Sequence, residues 1–231
     1  NLEGQIVVSQ IRRKTEPKYI TLSCGGWTGA VTDSVSRCHF PLGNAPIGPG
    51  KSIVLTEGPL KGDVAVSLSR GSLSMVAIPG INTTADFYAR VPALTALGVS
   101  RILNGLDMDR LTNPNVGKGA AQIRRTLQKQ GVPFQELYWG QAYAEYKLPQ
   151  MEAFAFSKGL RIHCPPEASV FDRLYLVSQT IWKADWNPCS ALIGGQKYSY
   201  YWEPSTKGID DALLAAKGGK SPFVFQGAEY K

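Results

Sequence analysis

Residues 101–109 read RILNGLDMD, and this stretch carries the strongest signals for the fold. It opens with a mainly apolar run, and Asn113-Pro114 shortly afterwards is typical of a helix start. Asp107 and Asp109 stand where the predicted strand ends. Because side chains alternate along a strand, residues two apart project to the same side, roughly 6.5–7 Å from each other. We therefore expect two carboxylates on one face, which suits a hard cation such as Mg²⁺.

The same arrangement of a strand followed by an acidic residue occurs earlier in the chain. The apolar residues 53–56 lead into Glu57, and Pro59 suits the first position of a helix. In open α/β sheets, ligands bind beyond the carboxyl ends of the strands. We therefore expect Glu57 to converge with Asp107 and Asp109 on one site.

Strands and helices alternate between residues 53 and 139. Strands are predicted at residues 53–56, 75–79, 101–106 and 134–139, with helices that begin near residues 59, 84 and 114. Leu60, Val64 and Leu68 recur every four residues and predict the first helix, which should end near Gly71. Parallel neighbours need crossovers of this length, so the pattern predicts an α/β fold with a parallel sheet of about four strands flanked by helices.

Further structure is expected on both sides of this core. Residues 5–11 and 18–23 predict an antiparallel hairpin around a basic turn, and a helix is predicted near residues 170–181. The predicted divisions are an N-terminal β-rich basic segment at 1–50, the sheet core at 51–140, an insertion at 141–197, and the last strand and helix of the core at 198–231.

The composition is that of a folded protein with a basic surface, since 43% of the residues are hydrophobic and the net charge is +7. An excess of Lys and Arg favours a polyanionic partner such as nucleic acid, although surface lysines of no special role give the same charge. No apolar run is long enough to cross a membrane, and no signal peptide is visible. The chain begins at Asn1 without an initiator Met, which leads us to expect a piece of a longer protein.

The cysteines are widely scattered along the chain. They are Cys24, Cys38, Cys164 and Cys189, and two of them adjoin His39 and His163. These spacings match no common zinc module, so we expect ordinary reduced thiols in a cytoplasmic protein.

Three short motifs follow one another in a definite order: Glu57-Gly58, Asp107-x-Asp109 and the segment KGIDD at residues 207–211. Together they resemble the Toprim domain, the catalytic fold shared by bacterial-type primases, topoisomerases and some nucleases. Two longer strings carry the resemblance further, LTEGPLKGD at 55–63 and WEPSTKGIDD at 202–211. They are similar to a Toprim-like domain found in primase–helicase replication proteins of plasmids, phages and mobile elements.

The resemblance covers about residues 50–140 and 198–217, and it implies a primase that makes primers on single-stranded DNA from nucleoside triphosphates. Glu57, Asp107 and Asp109 are implied to bind Mg²⁺ or Mn²⁺, with Glu57 acting either as a ligand or as a general acid/base. Such ions can activate a 3′-hydroxyl and neutralise charge on the leaving pyrophosphate.

Other roles follow from the same resemblance, and each has an alternative. Asp210 and Asp211 either bind a second metal or cap the helix that follows them. A helicase domain or subunit is the implied partner. A metal-dependent nuclease and a non-catalytic nucleic-acid-binding module of the same fold remain alternatives to the primase.

Several basic residues near these motifs are candidates to bind nucleic acid or a nucleotide. They are Arg12, Arg13, Lys61, Lys118, Arg124 and Lys207. A solvated surface charge is the alternative interpretation of each.

Overall fold

A computed structural model of the chain describes the side chains of residues 14–15, 37–185, 207–216 and 223. It describes the backbone alone of residues 10–12, 19–21, 192–193, 196–197, 224–225 and 228–229. The chain divides into two compact units, Asn1–Ser100 and Arg101–Lys231.

The first unit consists of a hairpin and a β-α-β-α segment. Its elements are β1 (Gln10–Arg12), β2 (Tyr19–Thr21), β3 (Ser52–Glu57), α1 (Pro59–Leu68), β4 (Met75–Ile78) and α2 (Ala85–Ala96). β1 and β2 are antiparallel, which confirms the predicted hairpin. β3 and β4 are parallel, with Val54 opposite Met75. Both are buried along nearly their whole length, as is usual for apolar parallel strands.

Helix α1 begins where its proline predicts, but two of its regularly spaced apolar residues lie outside the buried face. Leu60 and Val64 are 49% and 36% exposed. The buried residues are instead Gly62, Ala65 and Val66. The reason is a close approach to the strands, because a Cβ on Gly62 would lie only 3.3 Å from the Cβ of Ala77. The close approach at Gly62 therefore sets which side of the helix is buried, and Leu60 and Val64 lie on the other side.

The second unit contains the acidic pair. Its elements are β5 (Arg101–Asn104), a 3₁₀ turn (Met108–Leu111), α3 (Pro114–Lys129), β6 (Phe134–Tyr138), α4 (Gln141–Ser157), α5 (Val170–Lys183), β7 (Leu192–Ile193), β8 (Gln196–Lys197), α6 (Ile209–Ala215), β9 (Val224–Phe225) and β10 (Ala228–Glu229). β5 and β6 are parallel, whereas β9 runs antiparallel to β6. α3 starts as predicted, because the side chain of Asn113 accepts a hydrogen bond from the N–H of Asn115 at 3.1 Å.

The predicted α/β class is confirmed, since four parallel strands, two in each unit, are flanked by helices. The strand predicted at 198–202 lies outside the described residues. None of the helices in the described part of the chain is long and apolar enough to cross a membrane.

The described residues of the segment 141–197 include two long helices, whereas the sequence predicted one. α5 confirms the prediction near residues 170–181. α4 was missed because Pro149 lies in its interior, where proline removes a backbone hydrogen bond. The buried residues of α4 include Ala144, Leu148, Met151 and Ala155, which recur with helical spacing. α4 packs on α5, and the burial of this face offsets the cost of the proline.

Candidate functional site

Asp107 and Asp109 lie on a tight turn after β5, and not on the strand itself. β5 ends at Asn104, and the 3₁₀ turn Met108–Leu111 follows with Asp107 as its N-cap residue. The N–H of Arg110 donates to the carbonyl oxygen of Asp107 at 3.0 Å. The predicted placement of both carboxylates by strand alternation is therefore wrong, because the chain has left the sheet before it reaches them.

The two carboxylates nevertheless meet at one position, which the ammonium group of Lys207 occupies. Its Nζ lies 2.8 Å from Oδ2 of Asp109 and 3.6 Å from Oδ2 of Asp107. The Asp109 side chain is 1% exposed and that of Asp107 is 7% exposed. Buried carboxylates need a nearby cation, because an unpaired buried charge is costly. The interpretation of Lys207 as a merely solvated charge is therefore wrong.

The acidic pair keeps Lys207 in its charged form. Burial by itself would lower the pKa of the ammonium, but the hydrogen bond to Asp109 and the charges of both carboxylates outweigh burial and raise the pKa. Two carboxylates and one ammonium leave a formal charge of minus one.

Arg110 ties the turn to the neighbouring strand. It is 2% exposed, and its guanidinium donates to the carbonyl oxygens of Leu106, of Asp107 at 3.3 Å and of Leu137 at 2.6 Å. The first two carbonyls belong to the segment that carries the acidic pair, and the third belongs to β6. Arg110 thus holds the turn in a fixed position relative to β6.

Glu136 on β6 completes this buried network. Its carboxylate accepts hydrogen bonds from Nδ2 of Asn104 on both oxygens at 3.0 Å, from Nε of Arg110 at 3.2 Å, and from Arg124. Arg124, a predicted nucleic-acid ligand, is 37% exposed and also lies over the ring of Phe134 at 5.6 Å. It lines a cavity of about 220 Å³. Part of the hydrogen-bonding capacity of Arg124 is therefore already used by Glu136.

Asp210 and Asp211 turn back onto Gly208 at the start of α6. Oδ2 of Asp211 accepts a hydrogen bond from the N–H of Gly208 at 3.2 Å, as acidic residues in the first turn of a helix often do. Oδ1 of Asp210 lies so close to Gly208 that it would clash with a Cβ at that position. Asp211 thus has the capping role that the sequence left open. A metal-binding role for either residue stays a prediction.

The remaining predicted site residues are spread over both units. Glu57 is the half-buried last residue of β3 in the first unit, where Lys61 lies half-buried in the first turn of α1. Lys118 is exposed near the start of α3 in the second unit. Arg13 and the side chain of Arg12 lie outside the described residues. The convergence of Glu57 with the acidic pair stays a prediction.

The acidic pair fits a divalent cation that is bound partly through water and phosphate. Within residues 37–185 and 207–216, no group of three or more His, Cys, Asp and Glu side chains is gathered closely enough to hold a metal ion. Mg²⁺ is usually bound by one or two carboxylates, and waters and substrate phosphates supply its other ligands. Asp107 and Asp109 provide this number of hard oxygen donors, and their contacts with Lys207 mark a position suited to positive charge.

Sequence reasoning missed the polar residues that support the turn. These are Asn104, Arg110 and Glu136, all of them nearly or fully buried. Asn104 and Glu136 stand within or beside an apolar run, which is a signal for a buried and paired side chain, because charged residues are rarely buried alone. Arg110, between Asp109 and Leu111, carries no such signal. The signal does not identify the partners, since Arg110 and Glu136 are 26 residues apart in the chain.

Compared by sequence with known proteins, the chain matches no protein-family model and no curated protein.

Proposed function

We propose that the chain is the catalytic domain of a metal-dependent primase. This nucleotidyltransferase would synthesise primers on single-stranded DNA from nucleoside triphosphates during replication of a plasmid, phage or other mobile element. The observation that carries the proposal is that the buried carboxylates of Asp107 and Asp109 meet at one cation position. The resemblance of the three acidic motifs to those of Toprim domains supports it.

In this proposal Asp107 and Asp109 hold Mg²⁺ or Mn²⁺. The bound ion would help to activate the primer 3′-hydroxyl and neutralise charge on the leaving pyrophosphate. Arg110 and Glu136 act as positioning residues, because their hydrogen bonds hold the turn that carries both carboxylates. Rigid support of this kind keeps metal-binding groups at a constant separation.

The other assignments rest on the resemblance and on charge. Glu57 is proposed as a metal ligand or general acid/base, and Asp210 and Asp211 as ligands of a second metal. The proposed contacts to template or nucleotide are Arg12, Arg13, Lys61, Lys118, Arg124 and Lys207. The net charge of +7 supports a polyanionic substrate.

The proposed location is the cytoplasm, and the proposed partner is a helicase domain or subunit. Cys38 and Cys164 are free thiols in the described part of the chain. Unpaired cysteines are in keeping with a reducing compartment.

The test compares the wild-type protein with Asp107→Asn, which removes one charge at almost constant size. Each is incubated with unprimed single-stranded DNA, labelled nucleotides and Mg²⁺ or Mn²⁺. Wild type should produce short labelled oligomers, and Asp107→Asn should make them about 100-fold more slowly or not at all. Glu167→Gln, an exposed carboxylate outside the site, is the matched control and should behave as wild type. Full activity of a correctly folded Asp107→Asn protein, or no oligomers from wild type with either metal, would refute the proposal.

A second candidate is a non-catalytic nucleic-acid-binding module, which the position of Lys207 favours. An internal ammonium can remain paired with the two carboxylates permanently, so that no metal is needed to accompany them. This candidate requires that wild type binds DNA but not Mn²⁺, and that Asp107→Asn leaves DNA binding unchanged. A separately labelled DNA strand in the primase assay also tests the nuclease alternative, which requires cleavage without synthesis.

A further inference from the structure

Two cations lie beside the turn that carries the acidic pair, and they differ in their surroundings. Arg110 is 2% exposed, and its guanidinium is held by Glu136 and by backbone carbonyl oxygens. Lys207 is 34% exposed, and its Nζ lies against the carboxylates of Asp107 and Asp109. The second cation is thus in direct contact with the carboxylate oxygens of the pair.

We infer that Lys207 is an internal counter-cation that competes with a divalent metal ion for Asp107 and Asp109, so that metal binding displaces its ammonium group. The inference rests on the proposed function, because it concerns the regulation of the same site.

The ammonium of Lys207 and a metal ion exclude each other at the acidic pair for a simple electrostatic reason. The Lys207 ammonium already lies 2.8 Å from Oδ2 of Asp109. A metal ion bound to this oxygen would place two like charges within a few ångströms of each other in a largely buried setting, where repulsion is strong. The ammonium therefore has to leave when the ion arrives.

Lys207 is also able to leave. Its ammonium group is attached through a flexible four-carbon stem, and the side chain already reaches solvent. Arg110 has no such freedom, because its planar guanidinium is enclosed and bonded on several sides. A change of side-chain rotamer can thus move the Lys207 ammonium toward solvent, while the hydrogen bonds of Arg110 stay in place.

This arrangement has two consequences for the protein. Without metal, Lys207 prevents the buried carboxylates from lying unpaired, which stabilises the turn. With metal present, the ion has to break the ion pairs between Lys207 and the two carboxylates, and this cost weakens its binding. The lysine therefore raises the metal concentration at which the site fills.

The first test measures Mn²⁺ binding by isothermal titration calorimetry and by electron paramagnetic resonance. Lys207→Met keeps a flexible unbranched side chain, one atom shorter than that of lysine, and removes its charge. We expect this variant to bind Mn²⁺ about tenfold more tightly than wild type, within the usual range for coupled binding events. Lys183→Met, an exposed lysine at the end of α5, is the matched control and should bind as wild type does. Equal or weaker binding by a folded Lys207→Met protein would overturn the inference.

The second test uses the wild-type protein and needs no variant. Lysines are acylated briefly with an N-hydroxysuccinimide ester, and labelling of each is quantified by mass spectrometry with and without saturating Mg²⁺. We expect labelling of Lys207 to rise severalfold when Mg²⁺ is added, whereas labelling of Lys183 stays constant. This test decides the matter if Lys207→Met does not fold. Unchanged labelling of Lys207 at a Mg²⁺ concentration that fills the site would overturn the inference.

The outcomes separate failure of this inference from failure of the proposed function. If wild type and Lys207→Met bind Mn²⁺ equally well, the competition is absent and the proposed function stands. If neither binds Mn²⁺, the competition and the metal-dependent function both fail, and Lys207 is a permanent structural partner of the acidic pair.

Discussion

Cys38 shows at the scale of one residue how burial changes the chemistry of a side chain. Burial, followed by the hydrogen bond and charge of Asp86, raises the pKa of its thiol to about 12. Its backbone N–H also donates to Oδ2 of Asp86 at 2.9 Å. The thiolate is the reactive form of cysteine, so a protonated thiol is a poor nucleophile and a poor metal ligand. Cys38 therefore has a structural role.

We predict that Cys38 resists alkylation in the folded protein. Compared with a free thiol of pKa near 8.5, its thiolate fraction at pH 8 is lower by roughly a thousandfold. The reaction with iodoacetamide, followed by mass spectrometry, should remain slow through pH 9 and accelerate only as the pH approaches 12. Cys164, which is only partly buried, is the internal comparison and should react readily at pH 8. Equal rates for the two cysteines at pH 8 would contradict the prediction.

Arg110 is the single residue on which most of the support for the acidic turn depends. Its guanidinium joins the carbonyl oxygens of the turn, the carboxylate of Glu136 and the backbone of β6. Replacing Arg110 with an uncharged residue removes one hydrogen-bond donor from the buried carboxylate of Glu136. It also removes the donor to the carbonyl oxygens of Asp107 and Leu137. The loss of one partner from a buried ion pair is strongly destabilising.

We therefore expect Arg110→Met to lower the free energy of unfolding by about 3–5 kcal/mol. The measurement is urea unfolding followed by circular dichroism. Arg125→Met removes an exposed arginine from α3 and should change stability by less than about 0.5 kcal/mol. If the Arg110→Met protein were as stable as this control, the buried network would contribute little to the free energy of unfolding.

At the scale of one element, α1 is positioned by small residues. Gly62 faces the strands so closely that a Cβ would lie 3.2 Å from Cγ of Pro41 and 3.3 Å from the Cβ of Ala77. Val64 lies on the exposed side of the same helix. The position of the helix against the sheet therefore depends on the absence of a side chain at residue 62.

We predict that Gly62→Leu destabilises the protein by about 1–3 kcal/mol, because the added side chain forces the helix away from the strands. The higher helix propensity of leucine, worth up to about 1 kcal/mol, does not compensate for this displacement. Val64→Leu introduces the same residue on the exposed face and should be neutral or slightly stabilising. Thermal unfolding of both variants tests the prediction, and equal midpoints would refute the close packing of α1.

At the scale of the whole molecule, the excess of positive charge bears on the proposed substrate. The chain carries 25 Lys and Arg against 18 Asp and Glu, and several of the acidic residues are buried in ion pairs. Each phosphate neutralised by a protein cation releases a counterion from single-stranded DNA, so binding weakens as salt is added.

We expect the affinity for a short single-stranded DNA to fall steeply with salt concentration. If about four phosphates are contacted, the slope of log affinity against log salt is near −2.8, which is roughly a 50-fold loss between 50 and 200 mM. Fluorescence anisotropy with a labelled oligonucleotide measures this slope. Lys118→Met should make the slope less negative by up to about 0.7 if Lys118 contacts a phosphate. Binding that is absent at low salt, or independent of salt, would contradict a nucleic-acid substrate.

Local signals in the sequence were sufficient for much of the fold. The starting residues of α1 and α3 follow from Pro59 and from Asn113-Pro114, because these residues favour the first turn of a helix. The parallel strands follow from apolar runs of suitable length between those helices. α4 was the exception. Its internal Pro149 disfavours a helix, but packing against α5 stabilises it.

The sequence by itself determined the α/β class, the order of the core elements and the position of the acidic pair at the end of a strand. Only the tertiary structure decided that Asp107 and Asp109 lie at the start of a 3₁₀ turn, that the ammonium of Lys207 contacts both, and that the network of Arg110 and Glu136 holds this turn. The physical reason is the range of the interactions. Helix and strand signals act over a few neighbouring residues, whereas a buried charge is paired with whichever residue the fold brings close, however distant it is in the chain.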